Sequence, residues 1–374
     1  AHIVEIQSDP IAPKGFAGFS IIPSQAGDQR FTLISPDVAV CDDCLAEMRD
    51  VNDRRYGYPF INCTNCGPRF TIIEGMPYDR PRTSMREFEM CPECRAEYET
   101  PVDRRFHAQP NACPVCGPSL QLIDRTGSQV DGDALESAAN WIRDGRILGV
   151  KGLGGYHLVV DATNEEAVAE LRRRKQRPFK PFALMYPDMA RLQRDVIVPP
   201  FAGPLLESAQ APILLLPRAA AEEVAPSVAP QSPSLGVFLP YTPLHQLLLN
   251  ALGRPVVATS ANLSEQPMLF EDDLAREHLP AWCDGILLHD RTIVRPADDS
   301  VVQVLQRPSP KPQLLRRARG YAPLPILAPR ELPCILALGG EMNSTFAVSR
   351  GRELILSQHL GNLCSFEGQK NYRE

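Results

Sequence analysis

Beyond residue 130 the apolar positions fall into short runs separated by stretches with helical spacing. Ile147-Leu148-Gly149-Val150, Phe182-Ala183-Leu184-Met185, Ile213-Leu214-Leu215-Leu216, Val256-Val257-Ala258, Ile286-Leu287-Leu288 and Val301-Val302-Gln303-Val304 are short, mostly apolar runs that read as buried strands. Asp133 to Asp144 reads as a helix stopped by Gly145. Asn164 caps a second helix over Glu165 to Arg174, with acids in its first turn and Arg172, Arg173, Arg174 and Lys175 at its end, where they suit the helix dipole. Leu244 to Leu252 is a third. Alternating strands and helices predict an α/β domain over about 130–322. Residues 1–35 read as strand and loops, through Ile3-Val4-Glu5-Ile6 and Gly18-Phe19-Ser20-Ile21-Ile22. A new hairpin is predicted from Cys334–Gly340, Thr345–Ser349 and Glu353–Ser357. The stretch 323–374 is too short to bury a core of its own, so it reads as a linker and the cut start of a further domain.

Residues 36–125 are organised by cysteine instead. Eight of the eleven cysteines form four Cys-x-x-Cys pairs: Cys41/Cys44, Cys63/Cys66, Cys91/Cys94 and Cys113/Cys116. The pattern repeats with a period of fifty, and neighbours repeat with it: Ala46, Glu47, Asp53, Arg54 and Arg55 recur as Ala96, Glu97, Asp103, Arg104 and Arg105. This is the signature of a duplicated module. Two cysteines on a tight turn aim both thiolates at one ion, and a second pair closes a tetrahedron, so the spacing predicts two structural zinc sites with no open position. A disulfide framework would suit a secreted chain, but the start at Ala1-His2-Ile3-Val4-Glu5 has neither a basic stretch nor an apolar run. Each repeat holds its own four cysteines, which favours sequential sites; an interleaved pairing of outer with inner pairs is the alternative. His107 reads as an ordinary polar residue. A segment this small draws much of its folding energy from the metal.

The formal charge of −6 argues against sequence-independent nucleic-acid binding, which needs a basic surface. No apolar run approaches the roughly 18 residues of a membrane span. Proline, at 37 residues, is about twice its usual share and reads as rigid turns and extended segments. Cys283, Cys334 and Cys364 read as buried small hydrophobes.

Four constellations in the α/β region carry chemistry. Lys151-Gly152-Leu153-Gly154-Gly155-Tyr156-His157 follows a strand, and glycines there let backbone approach a phosphate, although this is not a P-loop. Lys175-Gln176-Arg177-Pro178-Phe179-Lys180-Pro181 leaves a helix end, where a solvated basic cap is the bland reading. Thr259-Ser260-Ala261-Asn262 follows an apolar strand, where small donors suit a ligand. Asp298-Asp299-Ser300 precedes a strand, and Arg316-Arg317-Ala318-Arg319 comes near the domain's end.

Lys175-x-Arg177 with Lys180-Pro181, Ser260-x-Asn262, Ser300-Val301 and the late Arg316 together resemble the YrdC-like fold, an α/β domain with a twisted mixed sheet. Enzymes of that kind make acyl-adenylates from ATP. With the duplicated cysteine module before it, and Gly339-Gly340-Glu341-Met342-Asn343 and Ser357-Gln358-His359-Leu360-Gly361 after it, the chain resembles the HypF family, carbamoyltransferases of nickel–iron hydrogenase maturation. The expected layout is the end of an acylphosphatase-like domain and linker (1–35), zinc module (36–125), YrdC-like domain (130–322) and the start of a transferase domain (323–374), an internal piece of the whole.

The resemblance implies a relay in the cytoplasm. Carbamoyl phosphate yields carbamate, carbamate and ATP yield carbamoyl-adenylate, and the carbamoyl group passes to the C-terminal cysteine of a HypE-like partner. Lys175, Arg177 and Lys180 are then expected on the phosphates and carbamate. Ser260, Asn262 and Ser300 are expected on the α-phosphate or ribose, and Arg316 or Arg317 over the nucleotide. Tyr156, His157, Tyr241 and His245 are expected as pocket walls, and Mg²⁺ with ATP. Two rivals stand beside this reading. A threonylcarbamoyl-adenylate synthase shares the fold but lacks the zinc repeat. A zinc-dependent binding or chaperone module would show no ATP chemistry.

Overall fold

The structure is a computed structural model that describes residues 8–10, 12, 15, 33–220, 222–263, 266–305 and 311–373. The strands expected at Ile3–Ile6 and Gly18–Ile22 lie outside the described residues.

The cysteine module repeats its fold as well as its sequence. In each half the first Cys-x-x-Cys opens a short helix, α1 (Asp42–Arg49) or α2 (Pro92–Glu99), so both thiols sit on the helix's first turn. The second pair lies on a turn. Asp53 and Asp103 each accept the backbone N–H two residues on, at 2.7 Å, holding the arginine pairs that follow. A small core of Met48, Tyr58, Phe60, Ile61, Ile72 and Met85 packs beside the first cysteine cluster.

The α/β part is one ten-stranded sheet. In chain order its strands are β1 (Leu120–Asp124), β2 (Leu148–Lys151), β3 (Tyr156–Asp161), β4 (Ala183–Met185), β5 (Ile213–Pro217), β6 (Ser234–Phe238), β7 (Val256–Ser260), β8 (Gly285–His289), β9 (Val301–Leu305) and β10 (Lys311–Arg316). They lie in the order β1-β8-β2-β3-β7-β4-β6-β5-β9-β10. The sheet is mixed: β2 with β8, β4 with β6 and β5 with β9 run parallel, and the other neighbours antiparallel. Side chains alternate between faces. Its helices in chain order include α3 (Ala134–Arg143), α4 (Glu165–Lys175), α5 (Met189–Asp195), α6 (Gly203–Leu206) and α7 (Pro243–Leu252). Leu158 and Val160 pack on one side with Val168 and Leu171 of α4, while Val159 packs on the other with Leu244 and Leu248 of α7. Covered on both faces, β2, β5, β7 and β8 are nearly continuous apolar runs, which is why they were legible.

The predicted helices stand where the caps placed them. Asp133 accepts Glu136 N–H at 2.8 Å and Asn164 accepts Ala167 N–H at 3.0 Å. Strands β1, β3, β6 and β10 were not anticipated. The first follows the last cysteines and forms the edge of the sheet against β8. The expected pair Thr345–Ser349 and Glu353–Ser357 is one strand, β13 (Phe346–Leu356), between β11 (Ile326–Leu332) and β12 (Leu336–Leu338). Cys283 is buried as expected, but Cys334 and Cys364 are exposed: each lies on the lightly packed segment after residue 323.

Candidate functional site

The eight cysteines gather into two clusters, Cys41/Cys44/Cys63/Cys66 and Cys91/Cys94/Cys113/Cys116, so the pairing is sequential. In each, the sulfurs lie within 4.8 Å of one another. Recorded separations are 3.7, 3.8 and 3.6 Å in the first and 3.7 and 3.8 Å in the second. A tetrahedral Zn–S distance of about 2.3 Å requires sulfurs about 3.8 Å apart. The donor sets therefore fit zinc, with all four positions filled by protein. His107 is no ligand; it stacks on Tyr98 at 5.0 Å.

Each cluster is braced by the other repeat. Arg54 donates to Cys94 Sγ at 3.1 Å and Glu97 at 2.8 Å, and Arg55 also binds Glu97. Reciprocally, Arg104 donates to Cys44 Sγ at 3.3 Å, and Arg104 and Arg105 bind Glu47. Arg55 Nε reaches Ala112 O at 2.9 Å and Arg105 Nε the equivalent Asn62 O at 3.1 Å. Four thiolates on a divalent ion leave two surplus negative charges, and these guanidinium donors offset them. Burial alone would raise the Glu97 carboxyl, but Arg55 and Arg54 hold it at about 2.

A cavity of about 1090 Å³ opens at the carboxyl end of β7. Lys175, Arg177, Lys180, Ser260, Asn262 and Arg316 all line it. The sequence explains the placement. Helix α4 ends at Gln176 in the left-handed region (φ 52°), turning Arg177 back. Arg172, still helical, then donates to the carbonyls of Arg177 at 2.7 Å and Lys180 at 3.2 Å and holds the loop. Lys175 Nζ donates to Ser260 O at 2.7 Å, Asn262 O at 2.6 Å and Asn262 Oδ1 at 3.2 Å. Among the described residues it has only neutral acceptors. Burial, then repulsion from Arg177 and Lys180, brings its pKa down to about 7. Burial with Arg172 and Arg316 nearby lowers Arg177 to about 10. Described residues contribute five cationic side chains to the lining and two acidic ones, Asp298 and Asp299. Such a site attracts anions.

Six residues expected at the nucleotide are placed elsewhere. Tyr156 is buried and donates to Asp272 at 2.7 Å, as does Lys151. His157 lies behind the cavity wall, 3.2 Å from Asp299. Tyr241 lies under Arg319, 3.4 Å from ring centroid to guanidinium. His245 is edge-on to Tyr241, and burial and then His157 lower it to about 3, so the ring is neutral. Ser300 donates to Arg319 O and accepts Ala318 N–H. Arg317 donates to the carbonyls of Tyr321 and Leu324. Arg316, by contrast, lines the cavity, paired with Asp298 at 2.9 Å. The glycine loop is a hairpin between β2 and β3. Gly154 is needed there because a Cβ would sit 2.4 Å from Ala297 O.

The cavity also takes residues given no site role beforehand: Phe70 from the cysteine module, Arg295, and Met342, Phe346 and His359 from the last segment. Only the Gly339–Asn343 and Ser357–Gly361 motifs hinted at the last group.

Comparisons with known proteins give three family matches along the chain. A family model described as telomere recombination (Sua5, YciO and YrdC) matches residues 140–318. A HypF finger model matches twice, at 40–73 and 90–123, and a HypF Kae1-like domain model matches 330–374. Carbamoyltransferase HypF of Synechocystis sp. is 48% identical over 375 residues, covering 100% of this chain and 48% of that protein. The chain belongs to the HypF family. The HypF of Rhodobacter capsulatus is 50% identical over 351 residues, 92% of this chain and 46% of the relative. A crystal structure of full-length HypF in the phosphate- and nucleotide-bound form superposes with a TM-score of 0.88 at 46% identity, over 92% of this chain and 45% of that one. The chain thus spans about half the length of the HypF relatives it matches.

Proposed function

We propose that this chain carries the adenylate-forming step of a HypF carbamoyltransferase: carbamate and ATP give carbamoyl-adenylate and pyrophosphate. The observation that carries the reading is Lys175. Its buried amine has only neutral acceptors among the described residues, is fastened beside Ser260 and Asn262 at the mouth of a sheet strand, and faces the same cavity as Arg177, Lys180 and Arg316. Joining a carboxylate-like anion to an α-phosphorus brings like charges together. Fixed cations that need no reorganisation offset that repulsion, and positioning supplies much of the rest. Lys175 and Arg177 would hold the phosphates and the carbamate carboxylate, Lys180 would add positive charge, and the Ser260 hydroxyl and Asn262 amide would bond the α-phosphate or ribose. Mg²⁺ would enter with ATP, held mostly by phosphate and water oxygens.

The last segment supplies one wall of the same cavity, through Ser357 to Asn362. In this reading the adenylate forms against the part of the chain that begins the transfer, and the acceptor is the C-terminal cysteine of a HypE-like partner. The carbamate would derive from carbamoyl phosphate. Two zinc ions would fill the cysteine clusters as structural ions, and reduced thiolate ligands suit the cytoplasm. The test is pyrophosphate release from ATP with carbamate supplied by concentrated bicarbonate and ammonia. Release that requires carbamate is expected. Release that instead requires threonine, or no release from a zinc-replete chain that binds ATP, overturns the reading.

A further inference from the structure

Arg295 differs from the other cations of the cavity. Arg316 is paired with Asp298, and Lys175 and Arg177 donate to backbone carbonyls. The Arg295 guanidinium has no acceptor among the described residues, and its Nη1 is buried without a partner. Its recorded neighbour is the ring of Phe70, with the guanidinium 6.0 Å from the centroid. A guanidinium nitrogen buried and left open in this way is costly, and proteins retain such groups where something else completes them.

The cysteine module sets its position. Thr71 O accepts from both Val294 N at 2.8 Å and Arg295 N at 3.2 Å. Thr71 is itself held by the buried carboxylate of Asp37, which accepts its N–H at 3.2 Å, its hydroxyl at 2.8 Å and Arg69 N–H at 2.7 Å. The turn that follows the second cysteine pair therefore fixes the backbone of Arg295 and lays an aromatic ring by its side chain.

We propose that Arg295 is an oxyanion-binding residue of the cavity, held in place by Phe70 and Thr71, so that the cysteine module is a working wall of the site. A planar guanidinium fork suits either the polyphosphate of a nucleoside triphosphate or the carboxylate of the acid being activated. The proposal rests on the adenylate-forming reading for the identity of these ligands.

The test uses the full chain with its zinc content measured. ATP, AMP and pyrophosphate are titrated calorimetrically into the parent, Arg295→Gln, Arg295→Lys and Phe70→Ala, and the KM for bicarbonate-derived carbamate is measured in pyrophosphate release. If the polyphosphate is the ligand, Arg295→Gln weakens ATP and pyrophosphate about tenfold or more and spares AMP, as loss of a charged hydrogen bond requires. If the carboxylate is the ligand, nucleotide affinities stay and the KM for carbamate rises by a similar factor. Phe70→Ala should shift the same quantity in the same direction, with zinc unchanged. Arg295→Lys, which keeps the charge and loses the fork, should fall between and serves should Arg295→Gln fail to fold. Parental affinities and KM in folded, zinc-replete variants overturn the proposal. If the parent binds pyrophosphate but not ATP, the adenylate reading fails, and the pyrophosphate titrations alone decide Arg295.

Discussion

Replacing Lys175 by Met tests the electrostatics of the cavity directly. In the free protein burial and the neighbouring Arg177 and Lys180 bring Lys175 down to about 7. At about pH 7.5 only about a quarter of the molecules then carry the charge. A bound triphosphate places negative charge beside the ammonium and returns its pKa towards the ordinary range near 10.5. The sign follows: the complex holds more protons than the free protein, so ATP affinity falls as pH rises above about 7, by at most about tenfold per unit. Binding at about pH 7.5 should draw about 0.75 proton from the medium, against about 0.1 at pH 6. Charging the lysine costs about 0.8 kcal/mol at the higher pH, which lowers affinity about fourfold relative to acid. Lys175→Met should abolish this uptake and weaken ATP about 10–150-fold at pH 6, the range for a hydrogen bond to a charged group, and about fourfold less than that at pH 7.5. Calorimetric titration in two buffers of different ionisation enthalpy reads the protons, with zinc content as the control for folding. Equal uptake by parent and Lys175→Met would refute the argument.

The cysteine module makes a crossed prediction. Arg54→Ala should speed metal loss from the Cys91/Cys94/Cys113/Cys116 cluster, not from the cluster in its own repeat, because its donors reach Cys94 and Glu97. An effect of about 10–100-fold on affinity is expected, and chelator-competition kinetics with one cluster disabled at a time would read it. Gly154→Ala should destabilise the chain by about 1–3 kcal/mol, since the added Cβ meets backbone with no room to move. The strain falls on Ala297, in the segment that also presents Arg295 and Asp298, so ATP affinity should drop as well; a chemical denaturation midpoint and a titration check the two parts.

Local spacing alone determined the cysteine module, the capped helices and the apolar strands. A chelating pair, a cap and a strand are each made within a few residues, so chain order is enough to recognise them. Lys175-x-Arg177 and Ser260-x-Asn262 were legible for a related reason: each is a compact cluster at the end of one element. That they share a cavity depends on β7 lying near α4's end, which chain order does not state. The misplaced residues show the limit. Tyr156, His157, Ser300 and Arg317 are near the right motifs, but strand alternation and the turn at Ala318 send their side chains into buried networks or onto carbonyls. The exchange of arginines between the cysteine repeats, and the approach of Phe70 to Arg295 across about 225 residues of chain, were decided only by tertiary structure. Contacts of that kind come from packing one folded unit against another, and no periodicity or spacing records them.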